Sequence, residues 1–361
     1  MIGNRPQFIK AAAVSRLLRE THDEVLVHTG QHFDDELSLV FFNELEVPAP
    51  DYELGVALGS NTSQTARTLS ALEPVLAQAD ADAVLVYGDT NSTLAGALAG
   101  AQAGVGVAHV EAGMRSFDRT MPEELNRVVS DHLSTLLLCS SERAVSNLRR
   151  EGVVGAVELV GDVMVDLALA VQPRARERVD LVRARGQRPS EYALVTAHRA
   201  GNVDPPARLE RLVELVLALP LPVLLPLHPR TRARLEAAGL LGRLAASERV
   251  QLTSPLGYFE LTALLCHARA VLTDSGGLQK EAYLAGVPCL TLRAATEWEE
   301  TVQLGWNVLV DLDRDAALAA LERRPPTERP PLYGDGQAGR RVVAALEAHL
   351  AGTRAASIPT R

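Results

Sequence analysis

Long hydrophobic runs are absent from the 361-residue sequence, which contains no stretch of about 18 consecutive apolar residues. The amino terminus also lacks a basic segment followed by an apolar core, the pattern that marks a secretory signal. We therefore expect neither a membrane span nor a signal peptide.

Cysteine is scarce, and positive charge is not in excess. Cys139, Cys266 and Cys289 are widely spaced in apolar segments, which favours free thiols in a reducing compartment, most simply the cytoplasm. The 36 basic and 45 acidic residues give a net charge of −9, which argues against general binding to nucleic acids or membrane surfaces. No HExxH or CxxC motif occurs, so we predict neither a metal nor a cofactor.

The length predicts two domains, each with its own core. Continuous apolar runs alternate with helical patterns, which indicates parallel sheets covered on both faces. The predicted strands are 24–30, 83–87, 105–110, 136–139, 157–160, 193–197, 223–227, 250–253, 271–273, 289–292 and 308–310. This pattern predicts an α/β protein of two Rossmann-like, doubly wound domains that face a central cleft.

An arginine-rich stretch bracketed by prolines, at about 171–190, interrupts the pattern and predicts the domain boundary. We predict domains at 1–170 and 171–336, with an amphipathic helix at about 337–351 that packs back on the first. Before the first helix, only Met1 and Ile2 remain where a strand of about five apolar residues is expected. We therefore expect the given start to lie inside the natural chain.

Three carboxylates lie where α/β proteins carry out chemistry. Asp89 and Glu111 each follow an apolar strand, and Glu123 opens a helix. Carboxylates in such positions suit proton transfer, because burial raises their proton affinity. The structural alternatives are a helix cap for Asp89, a bond from Glu111 to Arg115, and for Glu123 a helix-dipole partner or an ion pair with Arg127.

A second group of residues suits anion binding. Ser275, Gly276 and Gly277 lie between a predicted strand and a helix, where glycines let a phosphate approach and free N–H groups point at it. The same residues also form ordinary tight turns. Glu281, one helical turn further on, either accepts hydrogen bonds from a ribose diol or is a solvated helix residue.

Basic residues occupy two kinds of position. Arg5 and Lys10 lie at opposite ends of the first turn and a half of a helix, and the charge of an arginine at a helix start opposes the helix dipole unless an anion is present. His198 and His228 each end a strand at the carboxyl edge of a predicted sheet, and both binding and structural roles stay open for them. We interpret the following histidines as structural: His32, His109, His132 and His267.

Several short segments, in order along nearly the whole chain, resemble the non-hydrolysing UDP-N-acetylglucosamine 2-epimerase family. They are GNRPQFIK, TGQH, YGDTNSTLAGALA, HVEAGMRS, MPEELNR, HRAGN, PLHPRTR, LTDSGGLQKEA and TEWEETV. The resemblance implies a GT-B fold, a UDP-sugar substrate, a homodimer, and interconversion of UDP-N-acetylglucosamine and UDP-N-acetylmannosamine for cell-surface polysaccharide precursors. It implies catalytic roles for Asp89, Glu111, Glu123 and His198, and substrate binding by Arg5, Lys10, Arg127, His228, Ser275, Gly276, Gly277 and Glu281.

The chain departs from the family pattern at three positions. Gln7 replaces a glutamate. The sequences of several segments are more similar to those of the branch that epimerises UDP-2,3-diacetamido-2,3-dideoxyglucuronic acid. That sugar is therefore the alternative substrate. Gly201 replaces a second glutamate and Asp34 a glutamine, which argues against activation by a second UDP-N-acetylglucosamine. Residues otherwise suited to such a site are Gln31, Arg67, Arg199 and His228.

Two other functions are compatible with the same fold. A GT-B glycosyltransferase would share the phosphate-binding turn but would need an acceptor. A nucleotide-sugar sensor would bind without turnover, and it would have no reason to keep three costly carboxylates.

Overall fold

The computed structural model describes residues 1–30 and 47–356, without the side chains of Arg5 and of residues 353–356. The sequence candidates Gln31, His32 and Asp34 lie outside the described residues. The chain divides into two compact units. Unit 1 comprises Met1–Leu167 and the chain from Tyr333 onward, and unit 2 comprises Ala168–Leu332.

Helices and strands alternate through both units. The strands are β1 (Val27–His28), β2 (Tyr52–Glu53), β3 (Ala83–Tyr87), β4 (Gly106–Ala112), β5 (Leu136–Cys139), β6 (Ala156–Leu159), β7 (Ala193–Thr196), β8 (Val223–Pro226), β9 (Val250–Thr253), β10 (Ala270–Thr273), β11 (Cys289–Thr291) and β12 (Asn307–Leu309). The helices are α1 (Arg5–Leu18), α2 (Asn61–Ala79), α3 (Asn91–Gln102), α4 (Pro122–Leu133), α5 (Glu142–Glu151), α6 (Val163–Glu177), α7 (Val179–Ala184), α8 (Ala200–Val203), α9 (Pro206–Ala218), α10 (Pro229–Ala237), α11 (Leu241–Ala245), α12 (Tyr258–Cys266), α13 (Gly276–Ala285), α14 (Glu299–Gln303), α15 (Arg314–Leu321) and α16 (Ala338–Ala356).

Unit 1 is built on a parallel sheet in the order β3-β4-β5-β6, beside a two-stranded parallel sheet of β1 and β2. Helix α3 lies close on this sheet because it carries small residues. A Cβ on Gly100 would lie 2.9 Å from a methyl group of Val107 and 3.1 Å from one of Val84. The predicted strand 24–30 is shorter than expected, since only Val27 and His28 pair as a strand.

Unit 2 is built on a six-stranded sheet in the order β12-β11-β10-β7-β8-β9, with every pair parallel. Alternate residues of β7 point to opposite faces, and both faces are buried: Ala193 and Val195 belong to one apolar cluster, and Leu194 to another. Strands buried on both faces read as continuous apolar runs, so the predicted parallel, doubly wound class is confirmed.

The order of the strands places a topological switch point in unit 2. From β7 the chain continues outward to β8 and β9 on one side, then returns to β10, β11 and β12 on the other. The carboxyl ends of β7 and β10 are therefore neighbours from which the chain leaves in opposite directions. Open α/β sheets bind ligands at this place.

Helix α16 packs on the first helix of unit 1. The Asp166 carboxylate accepts hydrogen bonds from the Ala338 and Gly339 amides, at 3.0 and 2.7 Å, at the start of α16. Gly339 approaches α1 so closely that a Cβ there would lie 2.3 Å from the Ala13 carbonyl oxygen. Among the helices of the described ranges, none has both the length and the apolar character needed to cross a bilayer.

Candidate active site

The carboxyl edge of the unit 1 sheet brings two of the predicted acids together. Asp89 follows β3, and Glu111 lies near the end of β4, which is the neighbouring parallel strand. The turn between β3 and α3 is made by Gly88, whose φ of +64° favours glycine and whose amide donates to the Val110 carbonyl at 3.0 Å. The two acids therefore lie beside one tight turn.

Glu111 forms an ion pair with Lys10 of α1, and the two side chains are only 17% and 9% exposed. Burial lowers the pKa of Lys10, but the negative charges of Glu111 and Asp89 outweigh it, so the pKa lies above its usual value. Lys10 is thus a permanent cation at this edge.

The backbone of Glu111 has an unusual conformation. Its φ is +71°, and the pairing of β4 with β5 shifts register between Val110 and Ala112. Such bulges turn a side chain out of the regular alternation of a strand, and they concentrate near active sites. Here the bulge turns the Glu111 carboxylate toward Lys10.

Asp89 is held by a different cation. The Arg127 guanidinium of α4 donates to the Asp89 carboxylate at 2.6 Å and to the Glu124 carboxylate at 2.9 Å. The Asn126 side chain donates to the Asp89 carbonyl at 2.9 Å. The side chain of Asp89 is still one-third exposed, at 34%, so it stays open to a ligand.

Glu124, which sequence reasoning did not select, is the buried acid of α4. Its carboxylate accepts from the Ser116 and Phe117 amides, at 2.9 and 3.0 Å, and thereby fixes the loop after β4. Burial raises the pKa of Glu124, but hydrogen bonds from Ser116 and Arg127 together bring it below its usual value. Its neighbour Glu123 is exposed in the first turn of α4.

Most of the structural alternatives for the three acids are wrong. Thr90, not Asp89, caps α3. Glu111 bonds to Lys10, while Arg115 pairs with Asp131 and Glu151. Arg127 pairs with Asp89 and Glu124 rather than with Glu123. Glu123 does stand in the first turn of its helix, as a dipole partner would.

Gln7 lies in the interior of unit 1, 1% exposed. Its side-chain amide donates to the Tyr87 carbonyl at 2.8 Å and to the Thr93 hydroxyl at 3.0 Å, and its oxygen accepts from the Gly3 amide at 2.8 Å. An amide suits this position because it donates and accepts at once. Arg5 is the first residue of α1, and its side chain is not among those described.

The candidate residues of unit 2 lie around the topological switch point between β7 and β10. Asp274, which directly follows β10 and is fully buried, accepts from the backbone amides of His198 at 3.1 Å and Arg199 at 3.0 Å. It also accepts from the Asn202 side chain at 3.0 Å. The His198 and His228 rings lie 5.4 Å apart between centroids. Sequence reasoning missed Asp274, although it follows its strand as Asp89 follows β3.

The next residues form the start of α13. Ser275 caps the helix, and its hydroxyl accepts from the Leu278 amide. The Gly276 carbonyl accepts from the Trp298 indole at 2.8 Å, and a Cβ on Gly276 would lie 3.4 Å from that nitrogen. Gly277 follows in the first turn. Glu281 is only 7% exposed, so the alternative of a solvated helix glutamate is wrong.

Gly201 of α8 stands where the family pattern has glutamate. A Cβ there would meet nothing within 4 Å. Packing therefore does not exclude a larger residue at this position.

Comparison with known proteins supports the resemblance found in the sequence. A family model described as UDP-N-acetylglucosamine 2-epimerase matches residues 16–347. A Pseudomonas aeruginosa protein, UDP-2,3-diacetamido-2,3-dideoxy-D-glucuronate 2-epimerase, is 44% identical over 95% of this chain and 97% of its own length. A Methanococcus maripaludis UDP-N-acetylglucosamine 2-epimerase homolog is 43% identical over 96% of this chain and 98% of its own.

A solved structure extends the likeness to the fold. The crystal structure of Methanocaldococcus jannaschii UDP-GlcNAc 2-epimerase, in complex with UDP-GlcNAc and UDP, superposes with a TM-score of 0.89 at 38% identity, covering 96% of this chain and 98% of the other. The fold is thus of the GT-B class. This chain is therefore an isomerase and belongs to the UDP-N-acetylglucosamine 2-epimerase family.

Proposed function

We propose that the enzyme inverts C2 of a UDP-N-acetylhexosamine, interconverting UDP-N-acetylglucosamine and UDP-N-acetylmannosamine. The observation that carries the proposal is the pair of carboxylates at the edge of the unit 1 sheet. Asp89 and Glu111 lie beside the same turn, and each is paired with its own cation, Arg127 or Lys10.

The chemistry needs two opposite proton transfers. The proton on C2 is not acidified by a neighbouring carbonyl, so its removal requires the anomeric UDP to leave. The C1–O bond breaks as the C2–H bond breaks, and the C1–C2 double bond of 2-acetamidoglucal forms. UDP then adds back to C1 while C2 takes a proton on its other face, and the configuration is inverted.

In our proposal, three carboxylates carry out the proton transfers at C2. One carboxylate accepts the proton from C2, and another delivers a proton to the opposite face. Asp89 and Glu111, which lie beside one turn and next to the Arg127 and Lys10 cations, are two of these groups. Glu123, exposed on α4 and clear of both ion pairs, is the third proton-transfer group.

The UDP leaving group requires positive charge and hydrogen-bond donors. We assign this task to His198 and to the Ser275-Gly276-Gly277 start of α13, where the first helical amides, those of Gly276 and Gly277, and the helix dipole favour a diphosphate. The buried Glu281 carboxylate is assigned to the ribose diol. The remaining residues assigned to substrate binding are Arg5, Lys10, Arg127 and His228.

A second candidate substrate is UDP-2,3-diacetamido-2,3-dideoxyglucuronic acid. It is favoured by the 44% identity to the Pseudomonas aeruginosa enzyme named for that sugar. The proton chemistry at C2 is the same for both sugars, so the assigned acids serve either one.

Deuterium exchange tests the proposal and separates the substrates. The enzyme is incubated in D2O with each UDP-sugar alone, and deuterium at C2 is followed by NMR and mass spectrometry. We expect deuterium at C2 of both epimers for the true substrate, and none with Glu111→Gln, which still binds UDP. Absence of C2 exchange for every UDP-sugar offered would overturn the proposal, and exchange with the uronate alone would establish the second candidate.

We also propose that the enzyme is a cytoplasmic homodimer that supplies precursors of cell-surface polysaccharide. The buried free thiols support a reducing compartment. Sedimentation equilibrium tests the dimer, and a monomer at working concentration would contradict it.

A further inference from the structure

His109 of β4 is a fully buried histidine that the chemistry proposed above does not use. Its Nε2 lies 2.7 Å from the carbonyl oxygen of Gly88, and its Nδ1 lies 2.7 Å from a carboxylate oxygen of Asp131 on α4. The ring thus spans from the turn before Asp89 to the helix behind the sheet.

The hydrogen bonds decide where the protons are. A carbonyl oxygen accepts only, so Nε2 must carry a proton to bond to Gly88. The short contact at Nδ1 needs one more proton, on the ring or on the Asp131 carboxyl. The other oxygen of Asp131 accepts from Arg115 at 2.7 Å and from the Gly113 amide at 3.1 Å, and these donors favour the ionised carboxylate.

The surrounding charges agree with a proton on the ring. The Arg115 guanidinium lies 2.7 Å from the Asp131 carboxylate, both side chains are almost fully buried, and the guanidinium charge favours the ionised carboxylate. Arg115 continues the chain to Glu151 of α5 through two hydrogen bonds of 2.7 Å. The positive charges of the His109 imidazolium and the Arg115 guanidinium then balance the two carboxylates, Asp131 and Glu151. This group of four side chains carries no net charge, as a low-dielectric interior requires.

Other titratable groups lie around this chain. Burial raises the pKa of the Cys139 thiol on β5 to about 12, so it stays neutral. His132, nearly half exposed, lies 3.7 Å from Glu151. Across Gly88 stands the ion pair of Lys10 and Glu111, which adds no net charge.

The series of hydrogen bonds from His109 through Asp131 and Arg115 to Glu151 fixes both turns that carry the candidate acids. On one side His109 holds the Gly88 carbonyl, directly before Asp89. On the other, Asp131 holds the Gly113 amide, two residues after Glu111. Gly88 and Gly113 both have positive φ, as does Glu111, and such backbone persists only where its surroundings hold it.

We propose that His109 is an imidazolium held by Asp131 and acts as a positioning residue that sets the spacing of Asp89 and Glu111. The spacing matters only if these acids transfer the C2 proton, so this part rests on the proposed function. The protonation of His109 does not depend on the proposed function.

The first test is the ring itself. Nitrogen NMR of the 15N-histidine-labelled enzyme, with His109 assigned by its loss in His109→Gln, should show a proton on both ring nitrogens at neutral pH, where an exposed histidine is mostly neutral. An unprotonated Nδ1 would overturn the proposal. This readout needs no turnover.

The second test is a pair of variants. In His109→Gln the amide can donate to Gly88, but its oxygen then faces the Asp131 carboxylate. We expect kcat to fall about 100-fold, the scale of a misplaced catalytic group, with KM changed far less. Adding Asp131→Asn again matches each hydrogen-bond donor with an acceptor and removes the unpaired negative charge. We expect kcat of the double variant to be at least about tenfold higher than that of His109→Gln.

Amide exchange in the segment from Tyr87 to Asn91 gives a readout independent of chemistry. It should speed up in His109→Gln and slow again in the double variant. A folded His109→Gln enzyme with unchanged kcat and unchanged exchange would refute the positioning role. If the wild type turned over no UDP-sugar at all, the proposed function would fail, while the NMR and exchange results would still decide the state and the role of His109.

Discussion

Lys10 and Glu111 form their ion pair against Gly88, in the space that a side chain at residue 88 would fill. A Cβ on Gly88 would lie 2.7 Å from the Lys10 ammonium nitrogen and 3.3 Å from a Glu111 carboxylate oxygen. The ion pair therefore requires that residue 88 has no side chain, and the turn requires its φ of +64°. Glycine meets both requirements.

This relationship predicts different outcomes at two glycines. Gly88→Ala and Gly104→Ala both place alanine at positive φ, but nothing lies within 4 Å of a Cβ at Gly104. We expect Gly104→Ala to lose about 1 kcal/mol of unfolding free energy at unchanged kcat. Gly88→Ala should lose about 1–3 kcal/mol more, because the pair must move, and its kcat should fall at least about tenfold. Urea unfolding and steady-state kinetics measure both, and equal behaviour of the two variants would contradict the steric argument.

The adjacent acids of α4 should separate stability from turnover. Glu124→Gln keeps the shape but turns an amide toward donors, so we expect a loss of about 2–3 kcal/mol at pH 7 with urea unfolding as the measurement. Glu123→Gln, at an exposed position, should leave stability unchanged and abolish turnover. A stable Glu124→Gln enzyme, or an active Glu123→Gln enzyme, would count against these roles.

The stabilisation by Glu124 should depend on pH with a definite sign. Its pKa is lowered in the folded state, so its contribution is fully present above the unfolded value of about 4.3 and is lost as pH falls through the folded value. The difference in unfolding free energy between wild type and Glu124→Gln should stay constant from pH 7 to about pH 5 and then shrink. A difference that grew on acidification would contradict the assignment.

Arg127 should not be replaceable by lysine. Its guanidinium reaches Asp89 and Glu124 at the same time, and one ammonium cannot reproduce that fork. We expect Arg127→Lys to lower kcat at least about tenfold, since Asp89 loses its fixed partner. Arg119→Lys, on the exposed part of the preceding loop, is the matched control and should behave as wild type.

The three thiols should be inert in the folded enzyme. Cys139, Cys266 and Cys289 are buried, and burial raises the pKa of Cys139 and Cys289 to about 12. The thiolate is the reactive form, so iodoacetamide at pH 8 should label none of them until denaturant is added. Labelling of the native enzyme, with loss of activity, would contradict this burial.

Much of the fold could be predicted from the sequence, because the strands of a sheet covered on both faces are continuous apolar runs. The runs at 83–87, 193–197 and 271–273 appear as β3, β7 and β10, each within about one residue at its ends. The family resemblance, carried by short motifs along the chain, is confirmed by the match over residues 16–347. Membership in an isomerase family also favours the epimerase over the glycosyltransferase and sensor alternatives.

The pairing within the site could not be predicted, because it depends on which face of each helix is turned inward. Helix α4 buries Glu124, Asn126 and Asp131, while Leu125 and Val129 are 50% and 41% exposed. Hydrophobicity alone would turn this helix the other way. The buried polar residues are stabilised by bonds to Ser116, Asp89 and His109, partners that come from separate stretches of chain and that a linear pattern does not connect.

The packing of α16 on α1 has a consequence for the order of folding during synthesis. Unit 2 is continuous in sequence, whereas unit 1 is completed by a helix that follows it. Until α16 emerges from the ribosome, the nascent unit 1 leaves uncovered the surface of α1 around Ala13 against which Gly339 packs. The later part of the chain can therefore reach its native state first, and a chaperone that shields α1 would act on the earlier part.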